Sequence, residues 1–196
     1  MIVIPINIAY NRIKDGGVRM DALRKEQIYT IDDIYTLPEG ERAELIDGKI
    51  YYMAPPNTQH QRLVHFFDRE IGSYIQSHKG ECEVFPAPFA VFLNENDKNY
   101  VEPDISVICN KNKITDKGCN GAPDWVIEIV SPSSKRMDYF IKLFKYRTAG
   151  VREYWIVDPE KQRVTVYFFE KELVEEYSFG TDISVGIYGG LTIKVE

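Results

Sequence analysis

Residues 124 to 134, DWVIEIVSPSS, set a charged side chain, Glu128, in the middle of a short apolar run closed by turn residues. Such a run predicts a strand buried within a sheet. A carboxylate inside it is costly unless it is paired or metal-bound. The chain must therefore build a sheet that also brings Glu128 a partner. Two residues later on the same strand face stands Val130, which offers no charge to pair with it.

The rest of the pattern predicts an α/β fold: a mixed β-sheet flanked by α-helices in a single domain, residues 27–196, preceded by an arm over residues 1–26. The arm carries charges and glycines without clear periodicity, and DGGVR ahead of Met20 raises Met20 as the natural start. Thr30 followed by Asp32 and Asp33 predicts a capped short helix ending before Pro38. RAELIDGKIYYM predicts a hairpin turning at Asp47-Gly48, where a type I′ turn requires positive φ. A long amphipathic helix follows, with Leu63, Phe67, Ile71 and Tyr74 on one stripe and Gly80 as its stop. ECEVFPAPFAVFL, NYVEPDISVIC and DWVIEIV predict strands. Ser133 or Ser134 can cap a second helix with Met137, Phe140, Ile141 and Phe144 as its apolar stripe and Gly150 at its end. VREYWIV and RVTVYFF then predict strands joined through Asp158-Pro159, with further edge strands in the glycine-containing tail.

The chain has 196 residues, 44% of them hydrophobic, enough for a sizeable core. No run reaches the roughly 18 apolar residues of a membrane span, and MIVIPINIAY lacks the basic start and cleavage site of a signal peptide. A cytoplasmic location is expected. The cysteines Cys82, Cys109 and Cys119 form no C-x-x-C pair and are odd in number, which predicts inert thiols in a reducing compartment. A net charge of −6 argues against tight, sequence-independent DNA binding by the whole surface. It does not exclude a nuclease, because a divalent cation in a carboxylate site reverses the local sign.

Two carboxylates lie in strand-like surroundings, Asp104 in VEPDISVIC and Glu128 in DWVIEIV. If their strands are neighbours, both can converge on one divalent cation, with the Ile129 carbonyl as a further ligand. Mg²⁺ takes one or two protein carboxylates and keeps several waters. Taken alone, Asp104 reads first as a loop cap; Glu128 could pair with a lysine, but a mid-strand glutamate points towards function.

RAELIDGKIYYMAPPNTQH, VEPD, VIEIVSPSS, the spacing of Asp138, Lys142 and Tyr146, and GVREYWIVDP occur in that order. Together they resemble the Uma family of bacterial restriction-endonuclease-like proteins, part of the PD-(D/E)XK nuclease superfamily, over about residues 28 to 170. The resemblance implies a restriction-endonuclease-like fold and Mg²⁺-dependent cleavage of DNA, with Mn²⁺ as an alternative ion. It carries Asp104 and Glu128 across as the two acids and Glu44, in ELIDG, as a possible third site residue. Lysine is missing from its usual place, and Lys142, one helix later, is the replacement expected; Lys135 and Lys145 are weaker candidates. The alternative for Lys142 is an ion pair with Asp138 on a solvated helix face. His60 reads as a packed or capping residue, Tyr146 as packing with a bonded hydroxyl, and Tyr154 and Trp155 as core anchors. A homodimer is expected from the two cuts of duplex cleavage. The rival readings are an inactive nuclease-like domain serving as a binding or assembly module and a metal-dependent hydrolase of another substrate.

Overall fold

The hairpin, the long helix and the strand pairing can all be traced to local residue chemistry in the computed structural model, which describes residues 27–196 apart from Glu95 and Ser133. The arm over residues 1–26, Met20 and the Ser133 cap lie outside the described residues. Helix α1, Ile31–Tyr35, begins at Thr30, whose backbone amide donates to Asp33 Oδ2 at 2.7 Å, so one half of a capping box holds its first turn. Strands β1, Ala43–Ile46, and β2, Lys49–Tyr52, form the expected hairpin. Asp47 and Gly48 take φ of 51° and 73°. Helix α2, Thr58–Ser77, starts at Asn57, whose side chain accepts from the His60 amide, and ends with the Gly80 amide donating to the Ile75 carbonyl.

Strand β3 is Glu83–Pro86 and β4 is Val91–Phe92, so ECEVFPAPFAVFL makes two strands separated by a cis Ala87–Pro88 bond. Then come β5, Ile105–Ile108; β6, Ile114–Thr115; β7, Gly118–Asn120; and β8, Trp125–Ile129. A helix links β8 to β9, Glu153–Asp158, which is followed by β10, Arg163–Phe168, and β11, Leu173–Ser178. Strands β12, Asp182–Ser184, and β13, Thr192–Lys194, form a terminal hairpin.

The main sheet runs β11-β10-β9-β8-β5-β3; β8 and β9 are parallel and every other neighbouring pair is antiparallel. Period-2 alternation sorts β8 into two faces. Trp125, Ile127 and Ile129 pack with Leu63, Phe67 and Ile71 of α2. Val126 and Val130 join Tyr146, Tyr154 and Ile156 on the opposite face. Glu128 lies between Val126 and Val130, so it faces the helix that connects β8 to β9. Tyr154 and Trp155 are fully buried, one on each face, in keeping with their expected anchoring role.

Two expectations are corrected. In the second helix, Phe140 and Phe144 are 71% and 64% exposed, and the apolar contacts come from Met137, Ile141 and Leu143. Residues Met137–Lys142 form a π turn before α3, Leu143–Ala149. A wider turn shifts the inward face away from a 3.6-residue stripe, and that face is taken by Asp138, Lys142 and Tyr146. The cysteines are not three thiols. Cys82 and Cys109 form a disulfide, because Glu83 pairs with Ile108 and the antiparallel register sets the next residues opposite each other.

Cys119 remains a buried thiol, and burial pushes its pKa to about 11. A thiolate is the reactive form. Iodoacetamide at pH 8 should therefore leave Cys119 unmodified in the native protein and label it in urea, as read by peptide mass mapping. Native labelling would contradict this burial.

Candidate active site

The register of the central strands brings the two acids together. Ile105 lies opposite Ile127 across the antiparallel β5–β8 pair, which carries Asp104 to the position opposite Glu128. Asp104 Oδ2 accepts the Ile129 amide at 2.8 Å and lies 3.0 Å from His60 Nε2. Oδ1 makes neither of those bonds.

Glu44 arrives from the hairpin. Its strand is joined to the segment before Asp104 by reciprocal Leu45 and Tyr100 backbone bonds of 2.7 and 2.8 Å, and Glu44 Oε1 accepts the Glu102 amide at 3.0 Å. In turn, Glu102 is held by Arg42 and by the Tyr100 hydroxyl. Glu44 is a buried strand residue rather than the polar face of an exposed hairpin.

Lys142 closes the cluster. Its Nζ is 2.8 Å from Glu44 Oε2, 2.9 Å from Glu128 Oε1 and 3.7 Å from Asp138 Oδ1. The Tyr146 hydroxyl donates to the same Glu128 Oε1 at 2.6 Å. Lys142 and Asp138 are 4% and 3% exposed, so their contact is not a solvated helix pair. The π turn explains the shared direction of residues 138, 142 and 146. Four residues of α-helix overshoot one turn by about 40°, whereas the same step in an i→i+5 turn falls short of one, so successive offsets oppose. Lys135 binds Glu160 at 2.7 Å and Asp158 at 3.3 Å, and Lys145 pairs with Asp47, so neither approaches this cluster.

Electrostatics define what each group can do. Burial alone would lower the Lys142 pKa, but the facing Glu128, Glu44 and Asp138 carboxylates outweigh it and hold the value well above the usual lysine range. Lys142 is therefore a fixed positive charge and hydrogen-bond donor rather than a base. Burial pushes Glu128 up against the pull of Lys142, so its ionised form depends on that ammonium. Burial likewise raises Asp138 to about 6 despite Lys142 and a bond from Ser134. For His60, burial disfavours the cation, while the hydrogen bond and charge of Asp104 outweigh this and raise the pKa.

The sequence reads His60 as a packed or capping residue, yet its ring bonds Asp104. No local pattern announces that contact, which spans 44 residues of chain. Among the described residues, no three His, Cys, Asp or Glu side chains are arranged to hold a metal ion. Asp104 and Glu128 alone still offer hard oxygen donors, since the hydrogen bonds described above engage Asp104 Oδ2 and Glu128 Oε1. That set fits Mg²⁺ with most of its shell supplied by water.

The Uma2 family model, described as "Putative restriction endonuclease", matches residues 30–196. The chain belongs to the Uma2 family. An uncharacterised protein of Synechocystis sp. is 25% identical over 134 residues, covering 66% of this chain and 67% of its own. A solved structure titled as a "putative nuclease belonging to DUF820" from Anabaena variabilis superposes with a TM-score of 0.69 at 24% identity, over 84% of this chain and 94% of that one. This likeness shows that the two chains share one mixed α/β fold. Uma2 membership sets the chain in a nuclease-like family, and no helix among its described residues is long and apolar enough to cross a membrane.

Proposed function

We propose that the chain is a Mg²⁺-dependent endonuclease hydrolysing DNA phosphodiester bonds, with Mn²⁺ as an alternative ion. The observation that carries this reading is the Lys142 ammonium, 2.9 Å from Glu128 on a helix that follows the strand lacking its lysine. The same charge reaches Glu128 from a different element, and family membership supports the reading.

Asp104 and Glu128, with the Ile129 carbonyl, would hold the ion, which polarises a phosphoryl oxygen and lowers the pKa of bound water. His60 and the Ile129 amide fix Asp104 through Oδ2, leaving Oδ1 for this role. Lys142 and Tyr146 fix Glu128 through Oε1, leaving Oε2. Lys142 stabilises negative charge developing on the phosphoryl group and orients the attacking water by donating to it. Glu44 holds the ammonium in place. A homodimer would supply the second cut on a duplex.

Supercoiled plasmid should be nicked in Mg²⁺ or Mn²⁺ and left intact in EDTA, with the nicking read on an agarose gel. Calorimetric titration of Mn²⁺ should give an isotherm that Asp104→Asn removes. Cleavage unaffected by EDTA would overturn the metal assignment. An absent isotherm together with intact plasmid would favour the inactive binding-module reading.

A further inference from the structure

A second feature lies along the flank of α2. A groove of about 590 Å³ runs between α2 and β13, lined by Gln59, Arg62, Phe66 and Arg69 from the helix and by Phe179 and Lys194 from the terminal segment. The helical members recur at intervals of three and four residues, forming one stripe on the flank of α2. The alternation of β13, with Ile193 buried and Thr192 and Lys194 exposed, turns Lys194 outward along the other wall.

The groove lies on the face of the sheet that α2 covers, and one end of it is the first turn of that helix. Gln59 immediately precedes His60, whose ring contacts Asp104. From Arg62 to Arg69 the helix rises about 10 Å at 1.5 Å per residue, a span of roughly three nucleotides at 3.4 Å per strand step. The Arg69 guanidinium lies 6.0 Å from the Phe66 ring centroid, and both Phe66 and Phe179 are half-buried with surface open to the groove. Cations alternating with ring faces match a polymer whose phosphates and bases alternate.

Two acids also line it, Glu70 and Glu196. Glu70 binds Arg69 at 3.0 Å, with the two side chains 44% and 56% exposed. Such an exposed pair is weakly held, so phosphate can replace the carboxylate. On a chain of net charge −6, the three cations against Glu70 and Glu196 still leave the groove's side chains net positive, the local sign that a polyanion requires.

We propose that this groove binds a single-stranded nucleic-acid segment running along α2, with Arg62, Arg69 and Lys194 on its phosphates and Phe66 and Phe179 stacking on its bases. The proposal rests on the nuclease reading for what happens to the strand, and names the form of nucleic acid held by the chain.

The test is fluorescence anisotropy of fluorescein-labelled oligo(dT) with the full chain in EDTA, where no cleavage intervenes. Wild type should bind. The Arg62→Ala/Arg69→Ala/Lys194→Ala variant should lose at least about tenfold in affinity and flatten the log Kd against log salt slope by about 2, at roughly 0.7 per phosphate contact. Phe179→Leu should weaken binding while leaving the slope unchanged. Equal affinity of the triple variant and wild type, absent wild-type binding, or preference for a duplex over a single strand would each overturn the proposal. Melting curves of the variants matching wild type tie any loss to the groove. Oligonucleotide binding without cleavage in Mg²⁺ would sink the nuclease reading and leave the groove standing; cleavage with an unaltered triple variant would do the reverse.

Discussion

Replacing Glu128 with alanine is expected to abolish Mg²⁺-dependent plasmid nicking while leaving the chain folded. The loss follows from the place of Glu128 opposite Asp104, where its Oε2 is the one carboxylate oxygen left by Lys142 and Tyr146 for an ion. Metal stabilisation of a phosphoryl transition state is on the order of several kcal/mol, and each 1.36 kcal/mol is a decade in rate. A fall of about a thousandfold or more is therefore expected. The fold should survive, because Lys142 keeps Glu44 at 2.8 Å and burial of the missing carboxylate no longer has to be offset. Initial nicking rates and far-ultraviolet circular dichroism check the two halves separately. Wild-type nicking by Glu128→Ala would remove Glu128 from the chemistry, and Glu128→Gln, which keeps the volume, guards against a packing explanation.

Much of this arrangement was legible where local chemistry decides it. Asp47-Gly48 specifies its hairpin because few residues accept positive φ, and the Leu63, Phe67 and Ile71 stripe of α2 is buried as its period requires. A glutamate between Ile127 and Ile129 signals a need for a partner, and the resemblance to the Uma family implies that Lys142, on the next helix, supplies it. What stayed hidden depends on geometry that no short window encodes. The π turn at Met137–Lys142 turned Phe140 and Phe144 outward and brought polar groups in, reversing the stripe that a regular helix would give. Cys82 meets Cys109, and His60 meets Asp104, only after β3, β5 and α2 have assembled.

Lys142→Met should be the substitution most costly to stability. It retains much of the aliphatic length but removes the one ammonium that Glu44, Glu128 and Asp138 face together. Breaking a buried ion pair from one side costs about 3–5 kcal/mol, or roughly 6–20 °C in Tm at about 2–4 °C per kcal/mol for a chain of this size. The pH dependence has a definite sign. A carboxyl whose folded pKa is raised favours the folded state when protonated, and Asp138 already lies at about 6 with Lys142 present. Without the ammonium, the Asp138 and Glu128 pKa values move further up. The deficit should be largest above pH 7 and shrink as pH falls through 6 towards 4. Thermal unfolding in EDTA across that range measures it. Adding Glu128→Gln to Lys142→Met should restore part of the loss at pH 7.5, because it removes one of the carboxylates left uncompensated. If Lys142→Met melts with wild type at pH 7.5, the ammonium lies in solvent and cannot be the charge that the Glu128 strand lacks.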